Sequence, residues 1–161
     1  MQLKQGTLLQ GGKYKIEKCL GQGSFGITYL AKMKLTISGG IGKTSTWVDV
    51  AIKEFFMKDF NSRQSDGSLN ESSSSTIVEK YKKDFKKEAD NLAKMEHPGI
   101  VDILDSFEEN NTCYLVMAYI DGQSLDAYIV DKGAIQEMKP YNTSRRLLTL
   151  FIICTANICF T

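Results

Sequence analysis

Gly21-Gln22-Gly23-Ser24-Phe25-Gly26, with Leu20 in front and Ile27-Thr28-Tyr29-Leu30-Ala31 behind, is the stretch on which the fold turns. Glycines in the spacing GxGxxG let a backbone approach phosphate oxygens closely and point its N–H groups at them. By itself that spacing fits an ordinary tight hairpin turn equally well. The residues just after Gly26 separate the possibilities. A dinucleotide-binding crossover needs a helix there, whereas Ile27, Thr28 and Tyr29 are β-branched or aromatic and continue as a strand. Upstream, Tyr14 and Ile16 alternate with charged residues, as a half-buried strand does. Tyr14 to Lys34 therefore reads as two antiparallel strands joined by a glycine loop that can fold over a nucleotide.

Outward from the loop, Ser38 to Thr46 is a Gly/Ser/Thr stretch that reads as a hairpin tip. Trp47 to Phe56 is the strongest strand, with Val48, Val50 and Ile52 on one face and Asp49, Ala51, Lys53 and Phe55 on the other. Lys58 to Thr76 turns to Ser, Asn, Asp and Gly, which reads as loop or local disorder. Ile77 to Met95 has helical periodicity, with Tyr81, Phe85, Glu88, Leu92 and Met95 in one stripe, and stops at His97-Pro98-Gly99. Two more strands come next, Ile100 to Phe107 and Thr112 to Ile120, separated by Glu109-Asn110-Asn111, and Ser124 to Val130 begins a short helix. Strands, one main helix, then strands predict an α+β lobe: a five-stranded antiparallel sheet packed on that helix.

Two charged residues stand in apolar company. Lys53 is flanked by Ala51 and Phe55, and Glu88 sits within the helical stripe. Each alone fits a bland reading, a lysine snorkelling to solvent and a glutamate at the stripe's edge. A buried carboxylate is costly without a partner, and a helix packed on the sheet can bring Glu88 to Lys53.

Taken in order, the glycine loop, Val50-Ala51-Ile52-Lys53, the helix glutamate Glu88, His97-Pro98-Gly99-Ile100-Val101, Tyr114-Leu115-Val116-Met117-Ala118-Tyr119-Ile120 and Asp121-Gly122-Gln123-Ser124-Leu125 resemble the protein kinase family. The resemblance is to the N-terminal, ATP-binding lobe of Ser/Thr-type, bacterial-like members, and it runs from about Tyr14 to Gly133. It implies a kinase small lobe and hinge over residues 13–133 with an incomplete second lobe. It also implies ATP contacts from Leu20, Gly21, Gly23, Gly26, Thr28, Ala51, Lys53, Met117, Ala118 and Ile120. In that pattern Lys53 holds the α- and β-phosphates, Glu88 orients Lys53, Met117 is the gatekeeper, and the backbone of Ala118 and Ile120 meets the adenine edge. His97 is a structural turn residue. Two positions depart from the pattern: Thr28 replaces the usual Val over the adenine, and Ala118 replaces the usual hinge Glu.

Motifs that would do the chemistry are missing from the sequence. There is no His-Arg-Asp, no Asp-Phe-Gly and no Ala-Pro-Glu, hence no catalytic Asp base and no dedicated Mg²⁺ ligand. The expectation is a truncated lobe that does not itself transfer phosphate. Mg²⁺ and a protein substrate belong to an intact parent, and ATP binding is expected to be weak because one lobe supplies one wall of the cleft. A non-catalytic kinase-like nucleotide-binding or interaction module is the alternative. Residues 134–161 read as an aberrant tail: Pro140 and the apolar run from Leu147 to Phe160 do not suit the long amphipathic helix expected there. Back-translated and shifted by one base, this tail admits codons for a peptide similar to that helix, so a frameshift is the favoured origin and a natural short tail the other.

Composition sets the outer bounds. A net charge of +1 argues against binding nucleic acid or a membrane surface by bulk electrostatics. Leu147 to Phe160 is too short and too often interrupted to span a bilayer. Cys19, Cys113, Cys154 and Cys159 show no metal-type pairing, and a single His97 does not complete a zinc site. No signal peptide is visible in Met1 to Gly12, and the expected setting is cytoplasmic.

Overall fold

A computed structural model describes residues 2–39, 42–71, 75–122 and 130–131. The expected helix over Ser124 to Val130 falls mostly outside those residues, and the whole of the 134–161 tail does. The elements are β1 (Leu8–Leu9), β2 (Tyr14–Gln22), β3 (Gly26–Gly39), β4 (Gly42–Phe55), β5 (Asn61–Arg63), β6 (Leu69–Glu71), α1 (Ser75–Leu92), β7 (Ile103–Glu109) and β8 (Thr112–Ala118). The main sheet is antiparallel throughout, in the order β1-β2-β3-β4-β8-β7.

That sheet has six strands rather than the expected five. The extra one, β1, is a two-residue edge strand, too short to leave a periodicity. The supposed linker at Ser38 to Thr46 is mostly strand: β3 and β4 pair from Gly26↔Phe55 out to Gly39↔Gly42, forming a ribbon. The stretch Lys58 to Thr76 is not simply loop either. β5 and β6 form a hairpin within it, Asn61↔Glu71 to Arg63↔Leu69. The helix starts two residues earlier than expected and ends at Leu92, which leaves Met95 outside it and 50% exposed.

Alternation within the strands divides the sheet's two faces. Tyr14, Ile16, Ile27, Tyr29, Ala31, Val50, Ile52, Tyr114 and Val116 are buried together on the inner face with Leu3, Leu9, Phe56 and Leu69. The sheet curls enough for its two ends to meet. Phe107 of β7 stacks on Tyr14 of β2 at 5.5 Å and on Tyr114 at 5.0 Å. Lys13 Nζ lies 2.6 Å from the Asp105 carboxylate, the Tyr14 hydroxyl donates to the same oxygen at 2.6 Å, and the Gln10 N–H donates to Glu109 at 2.8 Å. Burial, then the Asp105 hydrogen bond, pushes the Tyr14 hydroxyl up to about 12. The opposite face packs on α1: Val78, Phe85 and Ala89 pack with Phe55, Cys113 and Leu115. Spacings of seven and four put those helix residues on one line, and Glu88 lies half-buried beside it.

Candidate functional site

The site is built on the α1-facing side of the sheet by strand register. Residues directly opposite one another in adjacent strands share a face. The pairs Gly21↔Thr28, Thr28↔Lys53 and Lys53↔Leu115 therefore form one row across four strands. The pairs Leu30↔Ala51 and Ala51↔Met117 form the next row. Five of the sequence-predicted site residues, Gly21, Thr28, Lys53, Ala51 and Met117, are thus brought together in two neighbouring rows. Leu20 falls at the irregularity between Cys19 and Gly21 and is 42% exposed, and Ile120 lies beyond the end of β8 and is 38% exposed.

Lys53 is the centre of this arrangement. Its residue is only 8% exposed, and its ammonium lies 5.8 Å from the centroid of the Phe85 ring on α1, within reach of the ring's negative face. The lysine and the helix are therefore on the same side of the sheet. Glu88, one turn beyond Phe85, is half-buried, and no ion pair among the described residues joins it to Lys53. The last glycine of the loop, Gly26, lies beside the lysine on the neighbouring strand. A Cβ placed on Gly26 would sit 2.9 Å from the Glu54 carbonyl oxygen and 3.5 Å from Lys53 Cε, so this position has no room for a side chain. Gly21 and Gly23 have no such neighbour and are exposed. At the far end of the face, the Ala118 N–H donates to the Asp102 carbonyl at 2.9 Å. His97 accepts the Gly99 N–H at its Nδ1 at 3.0 Å, a turn-closing bond.

One neighbour of the site lies outside the sequence-predicted set. Glu54, next to Lys53 but on the inner face, is fully buried. It accepts from Arg63 Nη2 at 2.5 Å, from the Tyr29 hydroxyl at 2.9 Å and from the Tyr114 hydroxyl at 2.7 Å. Burial, then the neighbouring Glu54 charge, pushes both tyrosine hydroxyls well above their ordinary value. Arg63 also donates to the Gly67 carbonyl within the β5–β6 hairpin at 2.8 Å, so its bond to Glu54 ties that hairpin to the strand that carries Lys53. A signal for this residue does exist in the sequence: Glu54 shares the alternation of Val50 and Ile52, so it is a carboxylate on an apolar face.

Among the described residues no group of three His, Cys, Asp or Glu side chains is placed to hold a metal ion. The rows around Lys53 offer an ammonium, a hydroxyl and apolar side chains, so these residues do not make a Mg²⁺ site. No helix among the described residues is long and apolar enough to cross a membrane.

Comparison with known proteins gives a consistent picture. The family model described as "Protein kinase domain" matches residues 14–155. The probable serine/threonine-protein kinase MARK-C of Dictyostelium discoideum is 30% identical over 158 residues, covering 96% of this chain and 17% of the relative. The probable serine/threonine-protein kinase CPE1738 of Clostridium perfringens is 29% identical over 125 residues, covering 78% of this chain and 14% of the relative. Among solved structures, "PpkA-294 apo form" superposes with a TM-score of 0.69 at 25% identity, covering 81% of this chain and 43% of that one. The chain therefore spans about a sixth of the length of these curated relatives and less than half of the solved domain.

Proposed function

The chain belongs to the protein kinase family, and from that premise we propose that residues 13–133 form an ATP-binding small lobe and hinge. The observation that carries this reading is the position of Lys53: nearly buried, facing α1, and beside Gly26, the last glycine of the loop, on the neighbouring strand. A nearly buried ammonium next to a glycine loop suits a polyphosphate, because its charge gains strength where water is excluded. In this reading Lys53 takes the α- and β-phosphates, and Gly21, Gly23 and Gly26 bring the loop backbone to them. Leu20, Thr28, Ala51 and Met117 enclose the adenine. The Ala118 N–H is already taken by Asp102, so we assign the Ala118 carbonyl and the Ile120 N–H to the adenine edge. Glu88 orients Lys53 once α1 brings it within reach.

ATP and Mg²⁺ are the family's general requirements. Phosphoryl transfer from ATP to protein hydroxyls is the activity we assign to an intact parent that also carries the catalytic lobe. The test is a fluorescent-nucleotide titration of the full chain and of Lys53→Met. Saturable binding that Lys53→Met removes supports the reading; equal binding by both chains contradicts it.

A further inference from the structure

Strands β3 and β4 run well past the rest of the sheet. The register of β2 on β3 ends at Met33, and β8 pairs with β4 only from Val50 onward. The β3–β4 pairing itself continues without a bulge to Gly39↔Gly42. Among the described residues, Lys43 to Asp49 therefore has a strand on one side and an open edge on the other. An open edge is a template for another strand, and proteins usually blunt it with proline, a bulge or several lysines. This one has neither proline nor bulge, and a single lysine. The ribbon also exposes large apolar groups on both of its faces, Ile37 at 62% and Trp47 at 45%.

This edge is complementary to itself. Residues opposite each other in an antiparallel pair either both exchange backbone hydrogen bonds or both do not. Two copies of one strand meet that condition when their pairing is centred on a single residue. Centring on Thr46 uses the whole free stretch and sets Lys43 of each copy opposite Asp49 of the other, on one face. Centring on Trp47 instead sets Lys43 against Ala51, whose edge β8 already holds. Centring on Ser45 carries Asp49 past the strand's end at Gly42. Lys32 engages Asp49 through Oδ1 at 2.7 Å, leaving Oδ2 for a second ammonium. We propose that the β4 edge pairs with the same edge of a second copy of this chain, antiparallel and centred on Thr46, so that two ribbons become one continuous sheet. The contact is isologous, with the Lys43–Asp49 pair made twice and Trp47 of each copy opposite Ser45 of the other. A net charge of +1 sets little repulsion against it, and a contact of this length makes a reversible dimer. Nucleotide binding plays no part in it.

Trp47 is the chain's single tryptophan, so its fluorescence reports on this edge directly. We would follow sedimentation velocity and Trp47 emission over rising concentration for the full chain, Lys43→Glu, Asp49→Lys and an equimolar mixture of the two variants. The unmodified chain is expected to dimerise, with Trp47 emission moving to the blue as it does. In either variant alone, like charges stand opposite each other at both pairs, which raises the dimer Kd about ten-fold or more. In the mixture the two variants present opposite charges at both pairs, and the dimer returns. A purely structural effect of either substitution gives no such recovery. Should Asp49→Lys not fold, Lys43→Glu decides alone: the dimer is lost and Trp47 emission stays at its monomer value. Overturning results are a monomer at every concentration, a dimer that Lys43→Glu leaves unchanged, dimerisation without a shift in Trp47 emission, or a mixture of folded variants no more dimeric than either alone.

Discussion

Lys53 and Glu54 are neighbours in sequence with opposite tasks, because successive side chains of a strand leave it on opposite faces. Lys53 faces α1 and the glycine loop, and Glu54 is fully buried among Arg63, Tyr29 and Tyr114. Removing one partner of a buried ion pair leaves an uncompensated charge, at a cost of about 3–5 kcal/mol. Arg63→Ala is therefore expected to lower the melting temperature by more than about 10 °C. Lys53→Met, on the other face, should leave it within about 3 °C while removing nucleotide binding. Differential scanning fluorimetry on the two variants checks the contrast. A second contrast concerns the glycines. Gly26→Ala drives a methyl group to 2.9 Å from the Glu54 carbonyl, a backbone atom that yields only if the strands part. Gly23→Ala meets nothing within 4 Å. Gly26→Ala should thus cost measurable stability and Gly23→Ala little, in the same assay.

At the scale of elements, the segments with long, regular periodicity are legible in the sequence. The glycine hairpin, the lysine strand, the helix and the last two strands all stand near their expected places. Structure without a periodic signature is not legible in this way. β5 and β6 are three residues each and mostly polar, and tertiary contacts hold them. The Leu69 N–H donates to the Asn110 carbonyl at 2.9 Å, Asn111 Nδ2 donates to the Leu69 carbonyl at 3.2 Å, and the Leu69 side chain is 1% exposed in the inner core. No window of sequence shows those partners together. The helical stripe includes Phe85 as expected, but Val78 and Ala89 complete its buried line, so Glu88 lies at the edge rather than in the middle. If the hairpin is part of the core, Leu69→Ala should cost about 2–5 kcal/mol. Hydrogen exchange should then show protected amides in 61–71 of the unmodified chain that exchange rapidly in the variant. Fast exchange in both would mean that the hairpin does not anchor the β4–α1 connection.

Over the molecule as a whole, the curled sheet is closed where β2 meets β7, and that closure is electrostatic as well as aromatic. Burial pushes the Asp105 carboxyl up, but hydrogen bonds from Lys13 and Tyr14 outweigh it and hold the carboxyl below its ordinary value of 3.8. A lowered carboxylate contributes stability above its unfolded pKa and loses it as pH falls through the folded one. Asp105→Asn should therefore lower the melting temperature at pH 7, with the gap to the unmodified chain narrowing as pH falls below about 4. A gap that stays constant from pH 7 to pH 3 would remove the charge from this account of closure. On the reading proposed above, a nucleotide binds on the α1-facing rows around Lys53. It is tested most directly by amide chemical-shift mapping of the ¹⁵N-labelled full chain during titration with ATP. The large shifts are expected on Gly21, Gly23, Gly26, Lys53, Ala118 and Ile120, with the 61–71 hairpin nearly still. Shifts concentrated elsewhere, or none at saturating ATP, would contradict it.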